Sequence, residues 1–91
     1  MLPVLWSQNG LEDVDAIAAY ISTDNPAAAD RLTDLIFEAA EKLSFSHALY
    51  RAGRRAGTRE MVVHPNYILV YRTGVAQVEV LRVLHARQLY P

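Results

Sequence analysis

The residues best suited to chemistry lie in the C-terminal half of the chain. Leu84-His85-Ala86-Arg87-Gln88-Leu89-Tyr90-Pro91 places a His, an Arg and a Tyr within six residues. Those types supply a base, a phosphate clamp and a proton relay, the groups that RNA cleavage needs. The competing reading is a tail that covers the sheet edge, with Tyr90 packed. A second segment, Arg51 to Glu60, carries four arginines and two glycines in ten residues. It reads as a flexible cationic loop entering a strand, suited to phosphates or carboxylates because guanidinium binds both in bidentate fashion. The alternative there is a solvated loop whose arginines pair with acidic helices of the same chain. His47, His64 and His85 fall on different elements without ligand spacing, so no metal or cofactor site is expected, and His64 before Pro65 reads as part of a turn. No glycine-rich phosphate loop, nucleophile elbow or helix-turn-helix pattern is present. Asp13 and Asp15 stand at the front of a helix, where dipole and solubility account for them.

Charge separates the chain into opposed halves. Residues 1–45 hold 2 Lys/Arg against 8 Asp/Glu, a net −6, and residues 46–91 hold 7 arginines and no lysine against 2 acids, a net +5. An all-arginine half with Arg54, Arg55, Arg59, Arg72, Arg82 and Arg87 between apolar strands suggests one face for an acidic partner. At 91 residues, 52% of them apolar, the chain reads as a single domain over 1–91 with material for one core. The absence of cysteine excludes a disulfide scaffold, thiolate chemistry and cysteine-ligated zinc, and suits a reducing cytoplasm. The apolar start, Met1 to Trp6, lacks a basic flank and runs into acidic residues, so it predicts neither a signal peptide nor a membrane span.

The elements that must position these groups follow from periodicity. Residues 2–6 read as a short strand. A helix follows, capped at Ser7 or at Asn9 with Glu12 in reciprocal spacing, and Leu11, Val14, Ile17, Ala18 and Ile21 form its apolar stripe. Asn25-Pro26 starts a second helix to about Leu43, through Ala29, Leu32, Leu35, Ile36 and Ala39. The short link between the helices predicts an antiparallel hairpin. Residues 44–57 read as loop, and residues 58–64, 67–73 and 77–85 as three strands joined by tight turns. The expected class is α+β: an N-terminal strand, the helical hairpin, then a three-stranded antiparallel meander, in order β-α-α-β-β-β, with the helices on one sheet face.

In that frame Trp6, Tyr20-Ile21, Asn25-Pro26-Ala27-Ala28, Gly57-Thr58-Arg59-Glu60, Asn66-Tyr67-Ile68-Leu69-Val70-Tyr71-Arg72 and the run from Val80 to Arg87 resemble the RelE/ParE superfamily of bacterial toxins, across nearly the whole chain. The resemblance implies a plasmid- or chromosome-borne toxin of a type II toxin–antitoxin pair, held inactive by a cognate antitoxin whose extended C-terminal region wraps the helices and sheet. RelE-like members cleave mRNA in the ribosome, whereas ParE-like members inhibit DNA gyrase and cause DNA breaks. In the ribonucleases an arginine precedes the Leu-Val-Tyr element and clamps the scissile phosphate; here Ile68 stands in its place. Those enzymes also tend to be basic and lysine-rich, while this chain has a net charge of −1 and only Lys42. Arg59, and Arg87 with Tyr90, do resemble the ribonuclease branch. The residues therefore favour a ParE-like toxin that stops growth by binding gyrase without chemistry of its own, using Arg54, Arg55, Arg59 and Arg87 as its target-binding face. The alternatives are a metal-independent, ribosome-dependent endoribonuclease, with Arg59 and Arg87 on phosphate and His85 or Tyr90 moving protons, and an inactive toxin-fold binding protein.

Overall fold

The computed structural model describes residues 1–88. Its elements are β1 (Val4–Trp6), α1 (Gln8–Ser22), α2 (Pro26–Ser46), β2 (Arg51–Ala52), β3 (Arg59–His64), β4 (Tyr67–Thr73) and β5 (Val78–His85). The helical hairpin packs on one face of a five-stranded sheet ordered β1-β5-β4-β3-β2. The meander is present, with antiparallel pairing of β3 to β4 and β4 to β5. β1 lies parallel to β5, so the sheet is mixed.

Three local expectations change. The segment read as loop after Leu43 contributes another helical turn, to Ser46, and then the two-residue strand β2. Helix α1 is capped by Ser7, whose Oγ accepts from Gly10 N–H at 3.0 Å, rather than by Asn9, and Glu12 instead accepts from Gln8 Nε2 at 2.9 Å. Leu11 and Leu35 are exposed, not core. Asn25 does cap α2, accepting from Ala28 N–H at 3.0 Å with Pro26 behind it. The core lies between hairpin and sheet, where Ile36, Ala40 and Leu43 meet Leu69, Tyr71, Val78 and Val80.

The junction of α1 with β5 fixes this arrangement. Beyond the three residues that β1 covers, the open edge of β5 is finished by α1: Ser7 N–H donates to the Val80 carbonyl at 2.9 Å and Ser7 Oγ to the Leu81 carbonyl at 2.9 Å. Asp13 then accepts from Val83 N–H at 2.9 Å and from Arg82 at 2.7 and 3.0 Å. Gly10 allows the approach, because a Cβ there would stand 3.3 Å from both the Trp6 ring and the Val80 carbonyl. Asp13 is thus a structural ligand of the sheet edge, which corrects its reading as a solubilising helix-front acid. The bidentate bond pushes the Arg82 pKa up, against a smaller opposing effect of burial. Replacing Asp13 by Ala leaves the Val83 N–H without its acceptor and is expected to cost about 1–3 kcal/mol. Asp15→Ala, on the exposed side, should stay within about 0.5 kcal/mol. Urea unfolding of the two variants checks this, and equal losses would refute the edge role.

Candidate functional site

Alternation along β4 divides its side chains between two faces. Tyr67, Leu69 and Tyr71 enter the core under the helices, whereas Ile68 and Val70 join Leu84 of β5 in a second, smaller buried cluster on the outer face. Ile68 is 2% exposed. Where the resemblance to the ribonucleases calls for an arginine, this chain therefore places the centre of an apolar floor.

The tip of the β2–β3 hairpin comes beside that floor, with Arg55 and Thr58 lining one cavity with Val70. It is closed by Gly53 N–H to the Thr58 carbonyl at 2.8 Å, and by Thr58 N–H and Oγ1 to the Arg55 carbonyl at 3.2 and 2.7 Å. Gly57 supplies the left-handed residue, at φ +80°, that a four-residue tip needs. The expected flexible cationic loop is thus a hydrogen-bonded hairpin with Arg54 and Arg55 at its tip. Arg54 Nη1 donates to the Gln88 carbonyl at 3.2 Å, tying the tip to the chain that carries Arg87.

The arginines do not form one uniform set. Arg51 binds Glu60 Oε1 at 3.0 Å, and Arg54 Nε stands 3.8 Å from Oε2. Glu60 is 4% exposed, and its Oε2 accepts no hydrogen bond among the described residues. Arg72 pairs with its cross-strand neighbour Glu79 at 2.8 Å. These partners lie on the sheet itself, whereas Arg82 reaches a helix acid, Asp13. Arg55 and Arg87 are exposed and make no side-chain hydrogen bond or ion pair among the described residues. Arg59 stands apart on the helix side of the sheet, opposite Tyr71, with Nη1 donating to the Tyr50 carbonyl at 2.6 Å.

The proton-transfer candidates are also dispersed. His85 pairs across the sheet with Tyr67, while Arg59 pairs with Tyr71. Those partners are four steps apart along β4, about 13 Å at strand rise. His85 Nδ1 accepts from Arg87 N–H at 3.1 Å, and His64 Nδ1 accepts from Asn66 N–H at 3.1 Å in the expected turn. Tyr90 lies outside the described residues, as does any packing of it over the sheet edge.

A third feature is an open groove of about 700 Å³ between the hairpin and the His64/His85 end of the sheet. Ile17, Tyr20, Ile21, Leu32, Tyr67 and Val83 line it. Only Gly10 and Val14 of α1 are buried, and Tyr20 is 77% exposed, so the apolar side of this helix is left partly open.

With this geometry in view, residues 4–90 match the family described as ParE toxin of type II toxin-antitoxin system, parDE. The chain belongs to the ParE toxin family. It is 39% identical over 89 residues to protein Y4kP of Sinorhizobium fredii, spanning 97% of this chain and 92% of that one. It is 35% identical over 92 residues to Toxin RelE2 of Caulobacter vibrioides, spanning 98% and 100%. Of the solved structures, a chromosomal ParDE TA system from P. aeruginosa is similar in fold, with a TM-score of 0.83 at 20% identity over 93% of this chain and 96% of that chain.

Sequence reasoning missed two pairings in this ParE-family toxin, Asp13 with Arg82 and Glu60 with Arg51. The signals were present but faint: Asp13 adjoins the stripe residue Val14, and Glu60 is the lone acid of an arginine-rich segment entering a strand.

Around Arg59 the electrostatics can be tested. Burial pushes the Tyr71 phenol above its ordinary 10.0, Arg59 pulls it partly back, and Tyr50 raises it slightly. Its hydroxyl donates to the His47 carbonyl. Below pH 10 the phenol is neutral in both folded and unfolded chains, so its contribution is whole. Above that the unfolded chain ionises first, and stability falls until the folded phenol also titrates. Tyr71→Phe should cost about 1 kcal/mol at neutral pH and remove that share of the alkaline loss, as read by urea unfolding from pH 7 to 11.

Proposed function

We propose that this ParE-family toxin stops growth by binding DNA gyrase in the cytoplasm and blocking its cycle without chemistry of its own. The target-binding surface comprises Arg54 and Arg55 at the hairpin tip, Arg87 on the tail and Arg59 on the flank. A cognate antitoxin neutralises it by covering the groove along α1 and the sheet. The observation that carries the reading is Ile68, buried in the outer apolar cluster. An aliphatic side chain has no donor for a developing phosphorane, and losing one such donor costs about 3–4 kcal/mol of transition-state stabilisation. The spread of Arg59 and His85 along the sheet supports the same reading, because one clamp-and-base site requires both within reach of one phosphate. The open groove beside α1 supports a protein partner, since exposed apolar surface rimmed by polar groups marks such sites.

Purified toxin added to gyrase should inhibit supercoiling and accumulate cleaved DNA, while translation of a reporter mRNA proceeds intact. Normal supercoiling with ribosome-dependent mRNA cleavage would establish the endoribonuclease alternative, and inactivity in both assays would mark an inactive binding protein. Arg54→Gln with Arg55→Gln should weaken gyrase inhibition at least tenfold, about 1.4 kcal/mol of binding. His85→Ala should leave it unchanged, with the fold of both variants verified by circular dichroism.

A further inference from the structure

A separate cavity of about 270 Å³ opens on the outer face between the β2–β3 hairpin and the start of α1. Arg55, Arg72 and Arg82 line it together with Asn9, over a floor that includes Val70 and Leu81. Ser7 and Thr58 complete the wall, but their hydroxyls already donate to the Leu81 and Arg55 carbonyls. The donors left for a ligand are thus the Asn9 amide and the guanidinium groups. Arg55 has its whole guanidinium unpaired among the described residues. Arg82 uses Nε and Nη2 on Asp13, and Arg72 uses Nη2 on Glu79, so each keeps Nη1 unengaged there.

The count of charge and donors selects the ligand. Three guanidinium groups against the carboxylates of Asp13 and Glu79 leave a net charge of +1, and the positive end of the α1 dipole adds to it. A single carboxylate is matched in plane by one guanidinium, as Asp13 is by Arg82. Donors converging from β4, β5, the β2–β3 tip and α1 suit a tetrahedral group with more acceptor directions. A phosphate monoester, near −2, exceeds the local charge, whereas a phosphodiester at −1 matches it. The apolar floor is placed to meet the carbons of an attached sugar.

The geometry points to a phosphodiester-binding site formed by Arg55, Arg72, Arg82 and Asn9, which takes one backbone phosphate of a nucleic acid strand. Ile68, Arg59, His85 and Arg87 are not among its lining residues, and it requires no cleavage. It stands whichever cellular target the toxin engages, because it is read with purified toxin and nucleotide alone.

The test is NMR titration of the full chain at millimolar concentrations of three probes: thymidine, the thymidine dinucleotide with one phosphodiester, and the uridine dinucleotide. Both dinucleotides, or one of them, should shift the Asn9 side-chain amide, the Leu81 methyls and the Thr58 amide, while thymidine should not. The dinucleotide that binds more tightly identifies the strand as DNA or RNA. Arg55→Gln should weaken dinucleotide binding at least fivefold, and Arg31→Gln, on α2, should leave it unchanged. With a labelled single-stranded 12-mer, Arg55→Gln should also lower the slope of log K against log salt by about 0.7. Equal binding of thymidine, shifts confined to other residues, no binding of either dinucleotide, or equal effects of Arg55→Gln and Arg31→Gln would each overturn the assignment.

Discussion

The grip of α1 on the edge of β5 is the contact on which the rest of this molecule depends. A strand edge is a row of unmet N–H and carbonyl groups, and β5 would expose such a row beyond the reach of the three-residue strand β1. Ser7 and Asp13 meet it with one carboxylate oxygen, one hydroxyl and one backbone N–H. The same carboxylate anchors Arg82, so one residue sets both the height of the hairpin over the sheet and the direction of a cationic side chain. With α1 held there, α2 lies over the middle of the sheet, where Ile36, Ala40 and Leu43 are fully buried.

That grip also decides what the arginines are free to do. Read as a sequence, the C-terminal half carries an excess of five positive charges. In the fold, Asp13, Glu60 and Glu79 engage Arg82, Arg51, Arg54 and Arg72. The arginine ends of these pairs are exposed, and the pairing orients their guanidinium groups. What remains outward is concentrated at the hairpin tip and on the tail, not spread over the whole strand-rich half. Charge composition located the basic half correctly and overstated its breadth.

The fold was legible wherever one local signal sufficed. Asn25-Pro26 declares a helix start through a side-chain acceptor and a fixed φ, and the alternating β-branched residues of β4 and β5 declare strands. The two-residue strand β2 has no period to read; it exists because Arg51 and Ala52 meet Glu60 and Arg59 in space. The preference for Ser7 over Asn9 as cap is likewise tertiary, since Ser7 also donates to β5, 74 residues away. Asp13 was misjudged for the same reason: its partners are remote, and helix position alone offered an adequate local account. At the candidate site the residue types were legible, but not their grouping. Arg59 follows Arg55 by one helical turn's worth of sequence, yet strand alternation sends it to the opposite face from the floor that Arg55 overlies.

Ile68 links these observations to function. On the outer face a buried aliphatic cluster of Ile68, Val70 and Leu84 occupies the position at which a catalytic surface needs polar groups converging on one atom. Apolar packing there does two things at once. It holds β4 and β5 against the hairpin from the side that the helices do not cover, and it moves the cationic groups outward to the rim. A rim of guanidinium groups around an apolar floor offers no donor at Ile68 itself for charge that develops there. It is well suited to recognising charge already spread over a partner's surface, where each arginine meets its own acceptor. Ile68 thus serves as a packed support at the centre of this face, with the charged groups around it.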